Sequence, residues 1–285
     1  MSDALLDVAK VAILTFVLAS MVALGLSLTV RQIVEPLRNA RLVVLALVSN
    51  FVVAPAVAWG LAEVLGLDDS LTLGLLLLGT AAGAPFLPKL AQLAKGDVPY
   101  SVGLMILLMV VTIPYVPLVL GWLAPGLEVG AWDIAKPLVF LMLLPLAVAL
   151  AVRARYDEAK ALAAPLNTVG TVALALGLVL AVGLGLPELV DSFGTGAFVA
   201  SALFVVVTLV VGYLIGGSDR DTRVVSGLGA AQRNLSAALL IATTSFTDQP
   251  EVLVMVMVGA VLIELILLPV AAELGRRAVR APTPK

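Results

Sequence analysis

The sequence has no cysteine and no histidine. That excludes disulfides, thiolate metal sites, imidazole ligation of zinc or haem, and catalysis by a Cys or His side chain. Charge is also scarce. Only 13 % of the 285 residues are charged and 61 % are apolar, against about 25 % and about 45–50 % in soluble domains. So few charges cannot cover a water-facing surface, and the chain belongs in a lipid bilayer. The net charge of −2 says nothing about nucleic acid, and no nucleic-acid partner is expected. The informative quantity is where the charges sit.

A hydrocarbon core of about 30 Å needs roughly 20 apolar residues per helix. Nine such segments are present, at 10–30, 42–65, 70–94, 98–121, 134–152, 165–186, 196–216, 224–246 and 251–274. They predict an all-α polytopic membrane protein. The runs are continuous and too long for the strands of a barrel. Short connectors carry turn residues, as in Leu67-Asp68-Asp69-Ser70, Ala124-Pro125-Gly126 and Gly216-Gly217-Ser218-Asp219.

The basic residues predict orientation. Arg31, Arg38, Arg41, Lys95, Arg153, Arg155, Lys160, Arg220, Arg223, Arg276, Arg277, Arg280 and Lys285, 13 of the 17, fall in alternate loops, and the opposite loops hold only Lys10 and Lys136. The positive-inside rule then places the C-terminus in the cytoplasm and the N-terminus outside a cell membrane. The acidic Asp3, Asp7, Glu63, Asp68, Asp69, Glu128, Asp133, Glu188, Asp191, Asp248 and Glu251 lie on the outer side of this scheme. The acidic start Met1-Ser2-Asp3 does not read as a cleaved signal peptide.

Two spans contain breakers. The third includes Gly83-Ala84-Pro85-Phe86-Leu87-Pro88-Lys89, where two prolines remove amide donors and crowd preceding carbonyls. The eighth includes Gly227-Leu228-Gly229-Ala230-Ala231-Gln232-Arg233-Asn234, two glycines followed by three polar residues. Unwound backbone at membrane depth is tolerated only in a protein interior or along a cavity. Paired broken helices point to the binding site of a transporter. Interruptions are therefore expected around Gly83–Pro88 and Gly227–Gln232, close to each other. Lys89 reads either as a pathway charge or as a side chain snorkelling to the interface near Lys95. Arg233 sits mid-span, where a charge costs between about 3 and more than 10 kcal/mol. Glu264, midway along the last span, is its expected counter-charge. Glu273 is expected to pair with Arg276 and Arg277 at the cytoplasmic end.

Several segments in order resemble the bile acid:sodium symporter family, to which the arsenite carriers are related. They are Gly25-Leu26-Ser27-Leu28, Asn50 with Pro55, Leu93-Ala94-Lys95-Gly96-Asp97-Val98 followed by Ser101-Val102, Gly212-Tyr213-Leu214-Ile215-Gly216, and Gln232. The resemblance implies ten helices in two inverted repeats, with two broken helices that cross, and this chain would lack the first. It implies a panel at about 10–30 and 134–186, a core at about 42–121 and 196–274, and a cytoplasmic tail at 275–285. The departures are informative. Where the family binds sodium with a Ser-Asn pair, an acidic residue and a hydroxyl, this chain has Leu87, Pro88, Leu228 and Met105. Ser101, Gln232 and Asn50 are the oxygen donors left, and no residue is assigned as a metal ligand. Lys89 and Arg233 are additions, whose charge would stand in for the bound cations. With no cysteine, thiolate capture of arsenite is excluded.

These observations predict a secondary transporter of small organic anions, carboxylates or sulfonates, working by alternating access and without cofactor. Asn50, Pro85, Pro88, Lys89, Ser101, Gln232, Arg233, Asn234 and Glu264 are the candidate substrate-binding or coupling residues. Facilitated transport, exchange and proton coupling through Glu264 stay open, as do the alternatives of a sodium-coupled anion symporter and of a channel or membrane sensor. An enzyme is not expected: HExxH is impossible, no GxSxG is present, and Asp68-Asp69 and Asp219-x-Asp221 lie in loops on opposite faces.

Overall fold

The computed structural model of the chain describes residues 2–123, 132, 136, 138–184, 190, 192–246 and 248–280. The turn Ala124-Pro125-Gly126, the acidic Glu128, Asp133, Glu188 and Asp191, and Lys285 lie outside the described residues. Among the described residues every regular element is helical. Five stretches of the described residues are long and apolar enough to cross a membrane: Ala40–Leu65, Val98–Val116, Asp157–Gly177, Ala197–Ile215 and Pro250–Val279. Large apolar side chains such as Leu118, Val172, Leu214 and Leu265 point outward. In water that would be an aggregation hazard, and in a bilayer it is the lipid-facing surface.

Helix α1 (Ser2–Ser27) is followed by the short α2 (Val30–Val34), which Thr29 and Gln32 cap reciprocally. The next span is not one regular helix. It runs as α3 (Ala40–Val48), a π turn at Ser49–Val53, and α4 (Ala54–Leu65). Pro55 accounts for the irregularity. It has no amide to give to the carbonyl four residues back, Phe51, and its ring crowds that oxygen. The Ala54 amide reaches Ser49 O instead, and the freed Phe51 carbonyl accepts a hydrogen bond from Tyr115 Oη at 2.5 Å. This bulge aims Asn50 inward, with 1 % exposure. A second π turn, Leu138–Leu143, precedes Pro145 in the same way and leads into α8 (Leu144–Arg155).

Two further helices are broken outright: α5 (Asp69–Thr80) with α6 (Leu87–Leu93), and α11 (Arg220–Ala231) with α12 (Leu235–Ser245). Between and around them run α7 (Val98–Leu123), α9 (Ala163–Leu184), α10 (Ala197–Ile215) and α13 (Pro250–Arg280). Helix α13 continues beyond the apolar run expected to end at 274.

Helix α1 packs along α8 and α9, α5 packs along α13, and α10 along α11. The last contact is close because it is made of small residues. A Cβ added to Gly212 would meet Ala230 Cβ, and one on Gly216 would meet Ser226, the small-residue packing that lets membrane helices approach. At the end carrying the basic loops, Glu273 bonds both Arg276 (2.9 Å) and Arg277 (2.8 Å), as expected. There Arg220 also binds the carbonyls of Ala94 (3.2 Å), Lys95 (3.1 Å) and Leu274 (2.7 Å), tying the end of α6 to α11 and α13.

Candidate functional site

Helix α5 ends at Thr80 and the chain runs irregularly through 81–86. Gly83 makes this path possible. Its φ of +84° lies in the left-handed region, and a Cβ there would strike the Met109 backbone. The interruption begins earlier than Gly83–Pro88. Pro88 already lies in the first turn of α6, where its missing N–H has no helical partner to lose. Thr112 Oγ1 donates to the Ala82 carbonyl at 3.2 Å, supporting the unwound strand.

The second interruption differs more from expectation. Gly227 and Gly229 are helical, and the break falls on Gln232, Arg233 and Asn234. The glycines serve packing. A Cβ on Gly227 would meet Leu209 O and Tyr213, and one on Gly229 would press on Leu104 and Leu87. The helix stops where three consecutive polar side chains find partners in three different places.

Gln232 turns to α13, where its Nε2 donates to Glu264 Oε1 at 2.8 Å. Asn234 turns to the first break. Its backbone N–H donates to Ala81 O at 2.8 Å, its Nδ2 donates to Gly83 O at 3.2 Å, and its Oδ1 caps α12 by accepting from the Ala237 amide. The two breaks therefore lie against each other, as expected. Arg233, fully buried, inserts between them. Its Nε donates to Leu78 O (2.8 Å), Nη2 to Gly79 O (2.5 Å), and Nη1 to Ala230 O (3.1 Å) and Asn50 Oδ1 (3.0 Å).

Those carbonyls belong to the last turns of α5 and α11, where carbonyls lack intrahelical partners and the helix dipole is negative. One guanidinium thus satisfies the C-terminal ends of both half-helices. The expected ion pair between Arg233 and Glu264 does not form: Glu264 is engaged by Gln232, and the guanidinium is offset by carbonyl dipoles rather than by a carboxylate. Both polar groups are nearly inaccessible, Gln232 at 2 % and Glu264 at 7 % exposure.

Lys89 is elsewhere. It leaves α6 toward α9, where Nζ donates to Asn167 Oδ1 at 2.9 Å. It faces a cleft of about 280 Å³ between α1, α6, α9 and the 3₁₀ turn Asp157–Leu162. Lys160, Gln92, Ser20, Ser27 and Thr171 also line it, with Pro85 and Pro88 on the α6 side, and no described lining residue is acidic. Lys89 and Arg233, expected as neighbouring charges, thus have separate surroundings, one lining a cavity and one sealed between the two breaks. Ser101 joins neither: it is buried on α7 and donates to its own helix at Val98 O, 2.6 Å.

Of the oxygen donors the sequence leaves for a sodium ion, Asn50 and Ser101 are committed elsewhere, and Gln232 Oε1 is buried without a partner among the described residues. Leu87, Leu228 and Met105, at the positions where the resemblance implies oxygen ligands, are buried apolar groups, and Pro88 is buried with them. Asn50 is held by Ala46 O through Nδ2 and by Arg233 through Oδ1, Ser101 bonds its own helix, and the carbonyls of Leu78, Gly79 and Ala230 are taken by the guanidinium. The side-chain pattern carries no sign of those carbonyls. Asn167 is detectable in the sequence as a lone amide in an apolar span, and Lys160 is one of the loop charges that set the orientation.

No curated protein matches the chain. A family model described as the Sodium Bile acid symporter family matches residues 13–192, a stretch that contains the first break, Lys89 and Asn167. Members of that family are transporters, which makes this chain a membrane transporter of the bile acid symporter type and not an enzyme. The match spans more than half of the sequence, and the chain belongs to the sodium bile acid symporter family.

Proposed function

We propose that this protein is a secondary transporter of small organic anions, carboxylates or sulfonates, that works by alternating access without a sodium requirement. The observation that carries the reading is the seat of Arg233. A fixed cation lies on the carbonyl ends of two crossing half-helices, the kind of place where transporters of broken-helix design coordinate sodium. A covalently attached charge does the neutralising that a bound ion would do, and it cannot leave with the substrate.

The substrate site in this reading is the cleft lined by Lys89 and Lys160, with Asn167, Gln92 and Ser27 as hydrogen-bonding partners. Two ammonium groups, with no carboxylate among the described lining residues, favour an anion, and the volume of about 280 Å³ suits a small one. Nine spans, an inverted repeat, a panel at about 10–30 and 134–186 and a core at about 42–121 and 196–274 complete the scheme, with the N-terminus outside and the C-terminus in the cytoplasm. The cleft would lie between panel and core, so that rocking one against the other opens it to alternate sides.

The test is thermal stabilisation of the purified protein by a panel of small carboxylates and sulfonates, in sodium and in choline buffers. Stabilisation by at least one anion, equal in both buffers and lost in Lys89→Ala, is the expected result. Stabilisation seen only with sodium would overturn the reading.

A further inference from the structure

We propose that Glu264 and Gln232 form a proton-binding site in the interior of the transporter, with a single proton carried on Glu264 Oε2 and shared with Gln232 Oε1. Gln232 Nε2 already donates to Glu264 Oε1 at 2.8 Å. The other oxygen of each group, Glu264 Oε2 and Gln232 Oε1, is buried and has no hydrogen-bond partner. Both orphans are acceptors when the carboxyl is ionised, so neither can satisfy the other, and an unpaired buried acceptor is destabilising. One proton on Oε2 turns that oxygen into a donor, and the amide already bonded to Oε1 carries the free acceptor. The result is a cyclic acid–amide pair with two hydrogen bonds and no orphan.

The site takes a proton rather than a metal ion because it offers two oxygens. Hard cations need several oxygen ligands and keep their water when these are missing. The carbonyls of Leu78, Gly79 and Ala230 and Asn50 Oδ1 add nothing to the site, because Arg233 already holds them.

The neighbouring elements supply no competing charge partner. Of the helices packed on α13, α5 carries Asp69 in its first turn, α6 carries Lys89 directed to Asn167, and α10 carries Tyr213. Helix α11 carries Arg220, Asp221 and Arg223 in its opening turns, and α12 carries no titratable group. Arg233 is committed to carbonyls and Asn50. Among the described residues none of these groups bonds to Glu264.

Loading forms one O–H bond at Oε2 and raises the charge of the interior by one unit; unloading returns the proton to water. No oxidant or co-reactant enters. The consequence for motion runs through the chain itself, since Gln232 is bonded to Arg233, the residue that clamps the crossing. A loaded pair fixes the second break, and an unloaded pair leaves two orphans whose relief requires Gln232 to move. The site stands independently of what the transporter carries.

The test uses the full-length protein in sodium-free lipid nanodiscs, with protons alone as the probe, read by infrared difference spectroscopy between acid and alkaline buffer. The wild type should show a protonated-carboxyl stretch at acid pH. That band should be lost in Glu264→Gln, which mimics the loaded acid and can form the same cyclic pair. In Gln232→Leu the band should persist at higher frequency, because the carbonyl oxygen has lost the Nε2 donor. This second variant decides the matter if Glu264→Gln fails to fold. Absence of the band in the wild type, its full retention in Glu264→Gln, or an unmoved band in Gln232→Leu overturns the proposal. So does loss of the band on adding sodium at constant pH, which would mark a metal-ion site instead.

Discussion

Arg233 and Asn50, 183 residues apart in sequence, meet inside the membrane with Nη1 3.0 Å from Oδ1. The contact joins a π bulge to a helix break, and it gives both irregularities a purpose. Pro55 bends the second span so that Asn50 points inward, and the polar run at 232–234 ends α11 so that Arg233 can reach it. Arg233→Ala is expected to lower stability by at least about 3 kcal/mol, because four buried acceptors lose a charged donor and each one left unsatisfied costs about 1–3 kcal/mol. Arg233→Lys should recover only part, since a single ammonium cannot span carbonyls on two helices as the planar fork does. Thermal unfolding in detergent checks both.

Tyr115 stands behind the same bulge. Its hydroxyl donates to the carbonyl that Pro55 leaves free, at 2.5 Å. Tyr115→Phe keeps the ring, which packs edge-on against Phe51 at 4.7 Å, and removes the donor. The expected cost is about 1–3 kcal/mol, read as a fall in melting temperature. No change would show that the π turn holds without it.

Gly83 carries the first break. Gly83→Ala combines a left-handed φ of +84° with a Cβ forced onto the Met109 backbone. The conformational term alone is about 1–2 kcal/mol, and the steric term adds to it. A strongly reduced yield of folded protein is expected, whereas Gly60→Ala, where nothing lies within 4 Å, should be close to neutral.

Lys89 separates binding from stability. It is half-buried in the cleft with one hydrogen bond to Asn167. Lys89→Gln can still donate to Asn167 and should change stability by no more than about 0.5 kcal/mol, as surface-like substitutions do. Anion binding should weaken more than tenfold, and a double variant with Lys160→Gln should lose it. Titration calorimetry with the stabilising anion checks this, and unchanged affinity would move the substrate elsewhere.

The charge distribution predicts a topology that reporters can read. A C-terminal fusion active only in the cytoplasm should report after Arg280, and one active only outside it should not. The reverse result would invert the proposed orientation of the termini.

The two helix breaks are legible in the sequence because proline and clustered polar residues rarely sit in an apolar run unless the helix is interrupted there. The exact place of the second is not legible. Whether Gly227 and Gly229 unwind a helix or let it pack depends on Leu209, Tyr213 and Leu87, which sit on other helices, and local sequence carries no trace of them. Arg233 is recognisable as a buried charge, yet its partners are not. Side chains advertise themselves in a sequence, while the carbonyls of Leu78, Gly79 and Ala230 do not, and an unsatisfied helix end is as good a counter-charge as Glu264. The cleft is half visible: Lys89 stands out within a span, but Lys160 resembles every other loop charge, and only the packing of α1, α6 and α9 brings the two lysines to one cavity.

The central claim is that Arg233 stands in for sodium in an anion transporter. Uptake of a stabilising organic anion into proteoliposomes, with all sodium replaced by choline, tests it most directly. Saturable uptake at the same rate in both media, abolished in Arg233→Ala, is the predicted result. A strict requirement for sodium, with no uptake in choline, would contradict it.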